Sequence, residues 1–142
     1  MNSFERIVLQ KFRKIIAMNE LRAVAYRLKQ SRFCSQVCDL LVDSGKEELY
    51  LAIECKSRKN KMSLNFQSDF SKSKEGGQLE VLTQFCHNSG RKGIIIFKAY
   101  KEIKVASLIE VLSLKEQGKK SISMKDKYLW EDVEAYLHRI SR

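Results

Sequence analysis

Two carboxylates and one ammonium stand out in the stretch "VCDLLVDSGKEELYLAIECKS", Val37 to Ser57, because they interrupt segments patterned for burial. A turn at Gly45 to Glu48 folds this stretch into a β-hairpin. Symmetric pairing about the turn sets Leu40 across from Ile53, Val42 across from Leu51 and Asp39 across from Glu54. Side chains alternate along a strand, so Leu40, Val42, Leu49, Leu51 and Ile53 share an apolar face while Asp39, Glu54 and Lys56 share the other. Carboxylates on directly paired residues, with Cβ atoms about 4.5–5.5 Å apart, repel by about 3 kcal/mol at an effective dielectric near 20. A divalent cation between them turns that repulsion into a half-formed Mg²⁺ site, to which the main-chain carbonyl of Cys55 can add an oxygen. Lys56 points the same way, where it can position or deprotonate a water or stabilise negative charge on a phosphate. The set fits phosphodiester hydrolysis. The same spacing also fits an edge hairpin with a solvated polar face, in which Lys56 neutralises one acid.

Two helices flank this hairpin. From Phe4 to Met18 the residues Phe4, Ile7, Val8, Phe12, Ile15 and Ile16 follow helical spacing, opposite a stripe of Arg6, Gln10, Arg13 and Lys14. Glu5 falls inside the apolar arc, where a carboxylate needs a partner. It either reaches the hairpin's acids or closes a capping box with Asn2. The second helix lies in "GGQLEVLTQFCHNSG" and ends at Gly90. Gln78 sits at the centre of its apolar arc of Leu79, Val81, Leu82, Phe85 and Cys86, so its amide must be satisfied in the core or at the sheet.

Around these, "LRAVAYRL" reads as a strand and "KQSRFCSQ" as a polar loop. The segment from Ser57 to Glu75 is long, polar and basic and reads as a mobile loop. "GIIIFKAY" is a strand covered on both faces. "IKVASLIEVLSLKEQG" fits helix or strand, and "LWEDVEAYLHRI" is a closing helix with acids in its first turn. No repeat and no proline occur, and nothing marks a linker. One domain over residues 1–142 follows, with a core at about residues 4–99 and an unassigned tail at 100–142.

The chain of 142 residues carries 27 Lys and Arg against 17 Asp and Glu, a net charge of +10, which favours a polyanionic partner such as nucleic acid. No apolar run approaches the roughly 18 residues of a membrane span, and the first residues lack the pattern of a secretory signal, so a cytoplasmic protein is expected. Cys34 and Cys38 are spaced for a zinc site. No second close pair accompanies them, and buried reduced thiols are the reading for Cys34, Cys38, Cys55 and Cys86.

Taken in order, "ER" at Glu5–Arg6, a strand ending in Arg27, Ser31 in the next loop, "CD" at Asp39, "IECKS" at Glu54–Ser57 and the Gln78 helix resemble the PD-(D/E)XK nuclease superfamily. Within it the likeness is to archaeal Holliday-junction resolvases and resolvase-like proteins, over about Phe4 to Ala99. The resemblance implies an α/β restriction-endonuclease-like fold, a mixed central β-sheet flanked by α-helices. It also implies a Mg²⁺-dependent endodeoxyribonuclease (with Mn²⁺ able to substitute) that works as a homodimer on branched DNA, in recombination and repair. Carried over by position, Asp39 and Glu54 are metal ligands, Lys56 the catalytic lysine, Glu5 the helix-borne acid and Gln78 its helical partner at the site. Arg6, Arg27, Ser31 and Arg32 would contact DNA near the cut, and Arg58, Lys59 and Lys61 would do so from the following loop. Cys38 replaces the usual proline. The same residues also suit a repair or defence nuclease acting on other DNA structures, or a catalytically silent DNA-binding module. The apolar run Ile103 to Leu114 is either the dimer surface or ordinary core.

Overall fold

The computed structural model describes residues 3–29, 36–70, 72–73 and 76–140. In chain order these form α1 (Ser3–Met18), β1 (Ala23–Arg27), β2 (Leu40–Ser44), β3 (Leu51–Arg58), the short strands β4 (Ser63–Asn65), β5 (Lys72–Ser73) and β6 (Gly76–Gly77), then α2 (Gln78–Ser89), β7 (Lys92–Ala99) and β8 (Glu102–Ser107). The last third adds α3 (Leu108–Glu116), β9 (Ser121–Ser123), β10 (Tyr128–Leu129) and α4 (Trp130–Ile140).

The hairpin takes the register its alternation dictates, with Leu40 facing Ile53 and Val42 facing Leu51. It sits inside a six-stranded sheet of order β1-β2-β3-β7-β8-β10. β3 and β7 are parallel, joined by a crossover that contains α2, and the other neighbours are antiparallel. The sheet is therefore mixed. Its two faces are both covered, which is why β7 reads as a continuous apolar run with Ile95, Ile96 and Phe97 fully buried. On one face α1 and α4 pack through Phe4, Val8, Phe12, Ile15 and Trp130 against Leu40, Val42, Leu51 and Ile53. The rings of Phe12 and Trp130 meet edge to face at 5.1 Å, tying the first helix to the last. On the other face α2 and α3 bury Leu79, Leu82, Cys86, Leu108 and Val111 against Leu41, Ala52, Ile95 and Phe97.

One expectation needs correction, and two readings left open are filled in. The segment from Ser57 onwards is not a mobile loop over its described part, up to Phe70. β3 runs on to Arg58, and β4 pairs with β9, sixty residues away in the chain by the order of their numbers. Leu64, Phe66 and Phe70 are buried, which supplies the apolar anchors that the surrounding lysines and serines hide in a composition count. Asp69 locks the turn: it accepts from the Asn65 N–H at 2.6 Å and binds Arg58 and Lys61. Burial pushes its carboxyl up, but Asn65, Arg58 and Lys61 more than offset this, so its pKa lies below the ordinary 3.8. A lowered folded-state pKa gives stability that is present above the unfolded value and lost as pH falls through the folded one. Asp69→Asn is accordingly expected to lose about 1–3 kcal/mol at pH 7, a gap that closes as pH falls through the lowered carboxyl pKa, read as urea midpoints.

The tail is not an appendage. The sequence that fits helix or strand resolves into both: β8, then α3, separated by a capping box in which Ser107 Oγ accepts from the Glu110 N–H at 3.1 Å and Glu110 returns a bond to the Ser107 N–H. β8 and β10 extend the main sheet. Finally, Ile103 to Leu114 is mostly core, since Val105, Ala106, Leu108 and Val111 are buried; Ile109, at 78% exposed, is the large apolar side chain this run gives to solvent.

Candidate active site

Asp39 lies one residue before β2 and is held from three sides. Its N–H donates to the Ile53 carbonyl, its carbonyl accepts from the Leu28 N–H, and its Oδ2 accepts from the Cys55 N–H at 2.8 Å. The ladder thus stops one pair short of the symmetric expectation: the Asp39 main chain reaches Ile53, not Glu54, and its carboxyl takes the next ladder position. Backbone N–H and C=O of one strand residue point to the same side, so the Cys55 carbonyl also faces the Asp39 side, beyond the last ladder pair at Leu40 and Ile53.

Glu54, on the α2 face of β3, is 2% exposed. Gln78, at the first position of α2, donates from Nε2 to Glu54 Oε1 at 3.0 Å and accepts from Lys56 Nζ at 2.9 Å. Lys56 Nζ lies 3.6 Å from the same Oε1. One amide therefore bridges the acid and the ammonium and fixes both. The Gln78 amide finds its partners at the sheet, in these two side chains. Among the described residues Glu54 Oε2 has no hydrogen-bond donor. Burial, followed by the neighbouring Asp39 carboxylate, pushes the Glu54 pKa up to about 9, with Lys56 opposing. Two carboxyls in contact hydrogen-bond only by sharing a proton.

Glu5 comes from the opposite face of the sheet. α1 presents it half-buried, and burial together with the adjacent Asp39 charge raises its carboxyl above the usual range, with Arg27 pulling it back. Asp39 is thus the meeting point of acids from both sides. Asn2, the alternative capping partner of Glu5, lies outside the described residues.

The donor set fits a divalent cation. A buried carboxylate oxygen without a donor, a second carboxyl beside it and a carbonyl at the ladder end are hard ligands whose mutual repulsion a cation would relieve. Among the described residues no three Asp, Glu, His or Cys side chains are grouped to hold a metal ion, so a cation here would have two carboxyls and the Cys55 carbonyl as its protein ligands. The thiols are not part of it. Cys38, Cys55 and Cys86 are free and buried, and burial pushes Cys38 up to about 12 and Cys55 upward as well. Cys34 lies outside the described residues.

The proposed DNA contacts divide. Arg6 and Arg27 are exposed, and Arg27 is near enough to Glu5 to lower its pKa. Lys59 is exposed. Arg58 is committed to Asp69 through Nε and Nη2, and Lys61 lies 3.3 Å from the same carboxylate, so both hold the turn. Ser31 and Arg32 lie outside the described residues. Two neighbours escaped the sequence reading. Gln36 donates from Nε2 to the Cys38 carbonyl at 2.6 Å, close beside Asp39, and Phe70 places its ring 5.0 Å from Lys56 Nζ. The alternation of Leu64 and Phe66, with Phe70 beyond, was the available signal for a packed segment there.

A mixed sheet between two helical layers, with an acid one residue before one strand and an E-x-K on the next, makes a restriction-endonuclease-like α/β fold. The solved structure of Hjc, a Holliday junction resolvase from the archaeal hyperthermophile Archaeoglobus fulgidus, matches it with a TM-score of 0.64 and 20% identity, over 96% of this chain and 99% of that one. The likeness is one of fold, and it runs through the tail instead of ending at Ala99. No family model matches the chain, and no curated protein does either.

Proposed function

We propose that the protein is a cytoplasmic, divalent-metal-dependent DNA endonuclease that cleaves phosphodiester bonds in branched DNA, as a homodimer. The observation that carries this is Glu54: a buried carboxyl with one oxygen that no described residue donates to, bridged through Gln78 to Lys56 and set against Asp39. A core that needed only stability has no use for that arrangement. Asp39, Glu54 and the Cys55 carbonyl would hold Mg²⁺ or Mn²⁺, which supplies charge neutralisation at the phosphate and a more acidic water. Lys56, oriented by Gln78 and backed by the Phe70 ring, offers its protons to the attacking water or to a phosphate oxygen. Glu5 can accept a hydrogen bond from water on the Asp39 side. Arg6, Arg27 and Lys59 supply exposed positive charge for flanking phosphates. The net charge of +10 adds a steep salt dependence of binding.

The test is cleavage of a labelled four-way junction and of a linear duplex of the same sequence, with Mg²⁺ and with EDTA, by wild type and Asp39→Asn. Symmetric nicks near the branch that need both Mg²⁺ and Asp39 are expected. Equal cutting of junction and duplex would leave a nuclease of broader substrate range. Tight binding without cutting under any metal would leave a DNA-binding module.

A further inference from the structure

A cavity of about 320 Å³ opens beside Gln78, between the start of α2, the turn at Asn65–Phe70 and the end of α3. That volume is at the lower end of small-ligand sites, about 300–1,000 Å³. We propose that this cavity takes up one unpaired nucleotide of the DNA substrate, its base against Phe66, Phe70 and Leu79 and its phosphates against Lys119 and Lys120. The proposal rests on the nuclease reading and specifies the substrate: DNA with an unpaired or extruded nucleotide next to the bond that is cut.

Two side chains belong to both the cavity and the acid–lysine cluster. Gln78 lines the cavity while bonded to Glu54 and Lys56, and Phe70 lines it while lying under the Lys56 ammonium. An occupant therefore sits next to the position of the scissile phosphate. The floor is apolar and partly aromatic, a surface on which any base can stack because every base has a π face. The rim is cationic. Lys115 is paired with Glu80, but among the described residues Lys119 and Lys120 have no acidic partner and are exposed. Their backbones are nonetheless fixed: the Lys119 N–H donates to Leu114 O at 3.0 Å, and Lys120 O accepts from the Phe66 N–H at 2.9 Å. Gly118, at φ +81°, makes the reversal that brings them back over the cavity. An apolar floor next to two ammonium groups that no described acid neutralises matches a nucleotide better than a bare phosphate or an uncharged ligand. A paired base enters only after extrusion from its stack, at a cost of a few kcal/mol that an unpaired one does not meet.

The experiment is equilibrium binding by the full chain in EDTA, using fluorescence anisotropy and three DNAs: a duplex with a one-nucleotide bulge, the same bulge made abasic, and the fully paired duplex. The bulge is expected to bind about fivefold to a hundredfold tighter than the paired duplex, and the abasic bulge to lose that preference. Two variants at exposed positions, Gln67→Trp, which fills the cavity mouth, and Lys119→Gln with Lys120→Gln, are each expected to remove the preference, with folding checked by thermal melting. A 4-thiothymidine placed in the bulge is expected to crosslink within residues 65–79. Equal binding of all three DNAs, a preference unchanged in both variants, or a crosslink elsewhere would overturn the proposal. Metal-dependent cutting without any bulge preference would remove the pocket and leave the nuclease. A base-dependent preference in a protein that never cuts would keep the pocket and remove the nuclease.

Discussion

Glu54→Gln is expected to abolish metal-dependent cleavage, by at least about a thousandfold, and at the same time to make the metal-free protein more stable. The loss follows from the proposed role of Glu54 as a carboxylate that would hold the metal. The gain follows from the site's electrostatics. In the folded chain the Glu54 pKa is raised to about 9, above its ordinary 4.5. A raised folded-state value means that this group's contribution is fully present below the unfolded pKa and is lost as pH rises towards the folded one. Between pH 4.5 and 9 the wild type therefore grows less stable relative to a residue that cannot ionise. At pH 7 the difference is roughly 3 kcal/mol, or about 10 °C in melting temperature for a chain of this size. Gln also places an N–H where Glu54 Oε2 has no donor partner, facing the Asp39 carboxylate. Thermal melts in EDTA from pH 5 to 8 check this: the gap between variant and wild type should widen with pH. Mn²⁺ should then raise the wild-type melting temperature and leave the variant unmoved. A variant less stable than wild type at pH 8 would mean that Glu54 is a structural acid.

Lys56→Met is expected to lower the single-turnover cleavage rate by about 100- to 1,000-fold while leaving the protein folded and able to bind the metal. Met keeps an unbranched stem against the Phe70 ring and removes only the ammonium. Gln78 Nε2 still donates to Glu54, so the acid stays in place. One consequence separates a catalytic lysine from a structural one. Lys56 holds the Glu54 pKa down, so its loss should shift the pH midpoint of metal binding upward while binding at high pH persists. Cleavage near the wild-type rate would remove Lys56 from the chemistry. Loss of both cleavage and metal binding at every pH would make it a part of the fold.

What the sequence determined by itself is local and periodic. The hairpin register, α1, α2 with its Gly90 end, and β7 follow from alternation, helical spacing and one left-handed cap, where Gly90 has φ +77°. Those patterns already placed Asp39, Glu54 and Lys56 together, because a strand's period of two fixes side even without tertiary contacts. Tertiary structure decided what depends on distant partners. The segment after Ser57 is polar in composition, and only the pairing of β4 with β9 and the burial of Phe66 and Phe70 give it a place. The tail's strand–helix switch becomes legible once Ser107 caps Glu110 at the edge of a sheet that β8 has already joined. Gln78 could be seen to need partners, but that they are Glu54 and Lys56, 24 and 22 residues away, is a matter of how α2 crosses the sheet. The same holds for Asp39, whose turn towards the Cys55 N–H ends the ladder one pair early. Periodicity sets which face a residue occupies; the packing of one layer on another sets what it touches there.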